Sequence, residues 1–145
     1  MRIPRLLVEF PISGIGDIVL SDDRAHYVSR VLRLKVGAAL VVADGRGGEY
    51  VGELRRVDRR EVVVSLLEHR VVECESPINV NLVLGLSKGD RMDFAVQKAV
   101  ELGAATVTPV WTARSVVKLD EERARKRQAH WMEIARSACE QCGRN

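Results

Sequence analysis

The sequence predicts a mixed fold: a small β-barrel over residues 1–72, followed by a βαβα segment over residues 77–145. Two observations carry this. Up to about residue 72, short β-prone runs are separated by turn residues at hairpin spacing, and after Pro77 strand-like and helix-like runs alternate as they do in parallel sheets. A third observation sets the scale. At 145 residues, 46% hydrophobic and 30% charged, the chain can bury a core and stay in solution, which excludes a disordered tail or a collagen-like polymer.

In the first half, Ile3 to Phe10 is a β-like run that Pro11 breaks. Ser21 then offers an N-cap, and Asp22 and Asp23 fill a first helical turn where the dipole favours negative charge. Ala25, Val28, Val31 and Leu32 recur at helical spacing. That places His26, Arg30 and Arg33, spaced i, i+4, i+7, together on another face. Ala39 to Asp44 is an apolar strand ending in the glycine-rich Gly45-Arg46-Gly47-Gly48. Glu49 to Val57 follows, and Asp58-Arg59-Arg60 turns the chain into Glu61 to Glu68, whose valines are strongly β-prone. Residues 69–77 break the periodicity, and Pro77 forces its predecessor into extended geometry, so the boundary falls there.

The second half reads as strand Ile78 to Leu84, helix Asp90 to Leu102, strand Thr106 to Val110 and a helix from about Asp120 to Cys142. Met92, Ala95, Val96, Ala99 and Val100 make the buried stripe of the first helix, Gly103 stops it, and Lys98 and Glu101 can pair outside. Trp131, Ile134, Ala135 and Ala138 are the inward face of the second, which ends at Gly143. Two parallel strands and two helices cannot cover both faces of such a sheet, so further covering from beyond Asn145 or from another chain is expected, with self-association as its consequence.

Several function classes are excluded at this stage. With 4% aromatic residues, the chain is no platform for stacking many bases. It has no Walker, G-x-G-x-x-G, H-E-x-x-H or G-x-S-x-G motif. Net charge is only +3, yet Arg supplies 18 of the 23 basic residues, the side chain that grips phosphate in two-pronged fashion. No apolar run approaches the roughly 18 residues of a membrane span, and the start lacks a signal peptide, so the cytoplasm is expected. Cys74, Cys139 and Cys142 are an odd count for a disulfide framework; Cys139-x-x-Cys142 has no second pair, and no metal site is expected.

Three constellations remain. His26, Arg30 and Arg33 could meet a phosphate backbone, although a solvated face would look the same. The run Arg123-x-Arg125-Lys126-Arg127 is densely positive and open to the same two readings. Glu140-Gln141-x-Gly143-Arg144-Asn145 crowds a carboxylate, an arginine and two amides at a helix end. It could orient a planar base, or simply fray.

Taken together, His26-Tyr27-Val28-Ser29-Arg30-Val31-Leu32-Arg33, Ser87-Lys88-Gly89-Asp90-Arg91-Met92, Gln97-Lys98-Ala99-Val100-Glu101-Leu102-Gly103, Pro109, Arg114-Ser115 and Trp131 to Arg144 closely resemble the ribosomal RNA small subunit methyltransferase E family. The resemblance implies a PUA-like RNA-binding barrel and the first half of an α/β-knot (SPOUT) domain. It further implies methyl transfer from S-adenosylmethionine to N3 of a uridine in 16S ribosomal RNA by a cytoplasmic homodimer. Family members continue past the point where this chain stops. Their cofactor-binding elements are therefore expected beyond Asn145, and the chain is expected to be inactive alone. Within it, Arg144 and Glu140 are the catalytic candidates, as stabiliser of charge on the base and as proton acceptor. His26, Arg30 and Arg33 are the RNA-binding candidates. The rival expectations are a stand-alone RNA-binding module and an interaction partner without catalysis.

Overall fold

The computed structural model describes residues 3–58, 61–114 and 119–145. The expected Arg59-Arg60 turn and Ser115 lie outside them. The chain divides into two compact units. The first comprises residues up to Cys74 together with Gly143–Asn145, and the second is Glu75–Cys142.

The first unit is a five-stranded sheet built from β1 (Arg5–Leu7), β2 (Gly16–Val19), β3 (Ala39–Ala43), β4 (Glu49–Val57) and β5 (Val62–Arg70). Its order is β1-β3-β4-β5-β2, with β1 parallel to β3 and the other pairs antiparallel. One hydrophobic core draws on all of it: Leu6, Leu40, Val42, Leu54, Val62, Val64 and Leu66 point inward and meet Val8, Leu20 and Val28. The sheet therefore wraps around a single core, as a small barrel would. No ladder joins β1 to β2 among the described residues, so closure rests on side-chain packing and not on hydrogen bonds.

Two features depart from the sequence reading. The strand β2 was not expected, since Gly16-Asp17-Ile18-Val19 is short and half polar. It forms by pairing with β5, Gly16 opposite Leu66 and Val19 opposite Val63. The helix expected from Ser21 through Arg33 is instead an α-helical turn, α1 (Asp22–His26), followed by a π-helix over Tyr27–Val31. Ser21 holds the N-cap position, but its hydroxyl donates to Asp23 Oδ1 at 2.6 Å and makes no cap to the backbone. That bond is the main reason the Asp23 carboxyl titrates below its ordinary value.

The second unit contains β6 (Val80–Gly85), α2 (Arg91–Glu101), β7 (Ala104–Val110) and α3 (Glu121–Cys142). β6 and β7 pair in parallel, as the βαβ grammar requires. Met92, Val96 and Trp131 form its core against Leu84, Leu86, Val107 and Ile134. Gly103, at φ 89°, ends α2 in the left-handed conformation while Leu102 N–H donates to Lys98 O. Lys98 Nζ pairs with Glu101 at 2.7 Å. Ile78, Val83, Leu102 and Trp111 remain largely exposed on this small sheet and its flanks.

Candidate functional site

The three candidate cations of the first unit do not share one helical face. His26 ends α1, Arg30 lies in the π-helix, and Arg33 lies past its end at φ 54°. The π-helix adds a residue per turn, and the left-handed residue then reverses the chain, so the i+7 relation fails for Arg33. His26 and Arg30 do come together. They line a cavity of about 570 Å³ with Ser29, and Asp22, Asp58 and Glu61 line it too. Arg24, by contrast, is buried. Its guanidinium meets Asp23 at 3.1 Å and lies 5.3 Å from the Tyr27 ring centre, so it supports the helix from inside.

Ion pairing separates the two basic stretches. On α3, Arg123 pairs with Asp120 at 3.5 Å, Arg125 with Glu121 at 3.7 Å and Lys126 with Glu122 at 2.7 Å. The dense positive run expected there is largely neutralised by carboxylates one turn earlier, at a spacing already visible in the sequence. Arg30 and Arg33 have no such partners among the described residues, and no Asp or Glu occurs anywhere from Arg24 to Ala43.

Glu140 and Arg144 fall on opposite sides of the boundary between units. Glu140 is half-buried on the last turn of α3, and Arg144 is half-buried in the tripeptide that belongs to the first unit. The tripeptide is held from both ends. Arg5 forms an ion pair with Glu49, itself only 7% exposed, and donates a second bond to Gly143 O at 3.1 Å. Asn145 Nδ2 donates to Gly48 O at 2.6 Å and to Val72 O at 2.9 Å. Sequence reasoning missed Arg5 and Asn145 as holders of Arg144, because their partners are far away in the chain and leave no local signal.

In the second unit, Asp93 accepts bonds from His130 Nε2 at 2.8 Å and from Trp131 Nε1 at 3.0 Å, bracing α2 against α3. The His130 bond is the chief reason this carboxyl titrates below its ordinary value, and Trp131 and the charge of Arg127 act in the same direction. Trp131 also lines a groove of about 320 Å³. Val100, Val107, Trp131 and Met132 line it, with Thr106 and Gln128 as its polar side chains. The described residues contain no group of three or more His, Cys, Asp or Glu placed to hold a metal. No helix among them is long and apolar enough to cross a membrane.

The fold thus pairs a small β unit carrying unpaired cations with a parallel α/β unit, and comparison with known proteins assigns both. Residues 20–67 match the RNA methyltransferase PUA domain, and residues 74–145 match the RNA methyltransferase domain. Ribosomal RNA small subunit methyltransferase E of Bacillus subtilis is 36% identical over 126 residues, covering 87% of this chain and 49% of that protein. The Neisseria gonorrhoeae enzyme of the same name, solved bound to S-adenosyl methionine, superposes with a TM-score of 0.92 at 37% identity, over 99% of this chain and 59% of that one. A Legionella pneumophila protein solved with its cofactor SAM reaches 0.95 at 35% identity, over 100% and 60%. The chain belongs to the ribosomal RNA small subunit methyltransferase E family. It spans about half the length of the curated relatives it matches and about 60% of the solved ones.

Both solved relatives hold the methyl donor. S-adenosylmethionine needs acceptors for its ribose hydroxyls and charged amino-acid end, and a polar edge for adenine. The groove beside Trp131 offers hydrocarbon and no carboxylate. That groove does not by itself fit the donor.

Proposed function

We propose that the protein methylates N3 of a uridine in 16S ribosomal RNA with S-adenosylmethionine as donor, working in the cytoplasm as a homodimer on the ribosomal RNA or small subunit. The observation that carries this reading is the joint match of both units, in order, to RNA methyltransferases of one family. In it the first unit engages RNA through His26, Arg30 and Arg33, and the absence of carboxylate partners for the two arginines among the described residues supports that role.

Uracil N3–H must lose its proton for N3 to become alkylated, and negative charge then spreads onto the flanking carbonyl oxygens. Arg144 is assigned to stabilise that charge, and Glu140 to take the proton. The two-sided hold of Arg5 and Asn145 on the tripeptide supports the first assignment, since a fixed cation costs no reorganisation as the charge forms.

The hydrocarbon-lined groove favours a second reading for the 145 residues taken alone: an RNA-binding module, or a partner for a chain supplying the donor site, without turnover of its own. Deleting the coding sequence and measuring N3-methyluridine in digests of 16S ribosomal RNA tests the main reading. Loss of the modified nucleoside is expected; an unchanged amount overturns the proposal.

A further inference from the structure

Arg33 is the only described residue other than glycine with a positive φ, at 54°; the remaining nine are all glycines. It ends the π-helix in the manner of a left-handed helix stop. Leu32 N–H donates to Tyr27 O at 2.9 Å, and Leu34 N–H reaches back to Val28 O at 3.1 Å. Glycine is the residue this position ordinarily takes, because a Cβ crowds the backbone there. The turn is nonetheless firmly held. Val28 is fully buried in the core and Leu34 packs against it.

No described residue pairs with the Arg33 side chain. It is exposed and has no hydrogen-bond or ion-pair partner among the described residues, and Lys35, two positions on, is in the same state. The stretch from Arg30 to Val36 contains no acid, and Val31, Arg33, Lys35 and Val36 in it are exposed, whereas Arg30 also lines the cavity that Asp22, Asp58 and Glu61 share. Strained backbone kept by a rigid surround, with a charged and unpartnered side chain at its tip, is what a ligand contact looks like when stability alone would select glycine.

We propose that the turn over residues 32–36 is a phosphate-contacting element, in which Arg33 is retained in a strained conformation for RNA contact and Lys35 is a further RNA-contacting residue. This rests on the first unit's engagement of RNA proposed above. It adds Lys35 and a definite cost: the arginine lowers the stability of the unit while raising its affinity. A rigid turn presenting two cations loses little conformational freedom on binding, which is how such an element gains affinity from few contacts.

The test measures the thermal transition of the first unit within the 145-residue chain, followed by NMR of β3 to β5, and the chain's equilibrium binding to a labelled 16S ribosomal RNA fragment across a salt series. The chains compared are wild type, Arg30→Ala, Arg33→Gly, Lys35→Ala and, as an ion-paired control on α3, Lys126→Ala. Arg33→Gly is expected to raise Tm by about 3 °C. The same change should weaken RNA binding roughly three- to tenfold and make the log–log salt slope shallower by about one. Lys35→Ala should weaken binding by a similar factor at unchanged Tm, and Lys126→Ala should alter neither. If Arg33→Gly lowers Tm or unfolds the chain, or if both Arg33→Gly and Lys35→Ala bind as wild type while Arg30→Ala is weakened, this inference is overturned and the RNA-binding reading stands. If the wild-type chain does not bind the fragment, or Arg30→Ala is unaffected along with the rest, both are overturned.

Discussion

Removing the Asp93 carboxylate separates the parts of the α2–α3 brace. In Asp93→Ala, Trp131 Nε1 loses its acceptor 3.0 Å away, and because the indole is 9% exposed, water replaces that partner poorly. An unmet buried donor whose partner was charged costs about 2 kcal/mol. The His130 bond is shorter, at 2.8 Å, but its ring is half exposed, and a screened pair of that kind contributes about 0.5 kcal/mol. Asp93→Ala should therefore destabilise the second unit by about 2–2.5 kcal/mol. His130→Ala should cost only the small part, and Trp131→Phe, which removes the donor and leaves none unmet, should cost about 1.5–3 kcal/mol for the lost bond to a charged acceptor, plus the loss of ring volume. Because the chain forms two units, one global unfolding free energy is not defined, and amide exchange along α2 and α3 is the suitable assay. Exchange should quicken about thirtyfold in Asp93→Ala and two- to threefold in His130→Ala. If His130→Ala exceeds Trp131→Phe, or Asp93→Ala leaves exchange unchanged, burial does not decide which bond matters and the reasoning fails.

Three further outcomes are expected. Leu54→Ala, at a site 1% exposed in the first core, should destabilise that unit by about 2–5 kcal/mol in amide exchange of β3 to β5. Gly52→Ala should disrupt the β4–β5 pairing, since the added Cβ would meet Ser65 O at 2.5 Å; native-like exchange protection in both strands would contradict this. The brace should also depend on acid: Asp93 titrates below its ordinary 3.8, so its stabilisation is complete above that value and is lost as pH falls through the lower folded-state value. NMR titration of the Asp93 carboxyl carbon checks the direction, and a midpoint at or above 3.8 contradicts it.

Much of the fold was readable because its determinants are local. The stripe from Met92 to Val100, the stop at Gly103 and the parallel strands flanking α2 follow from periodicity and punctuation alone. What escaped was non-local. β2 exists through its register with β5, and the Asp93 brace joins residues 37 and 38 positions apart. The expected face of His26, Arg30 and Arg33 assumed an unbroken 3.6-residue period, which the π-helix and the left-handed Arg33 interrupt. The neutralisation of the α3 cluster, in contrast, was legible in Glu121 and Glu122 standing four residues before Arg125 and Lys126.

The reading proposed above has the first unit engage RNA and gives the groove beside Trp131 no carboxylate for the methyl donor. Parallel equilibrium binding of a 16S ribosomal RNA fragment and of labelled S-adenosylmethionine to the 145-residue chain tests it most directly. RNA binding that weakens as salt rises is expected, with no saturable uptake of the donor. Saturable donor binding, or a lack of RNA binding, would contradict it.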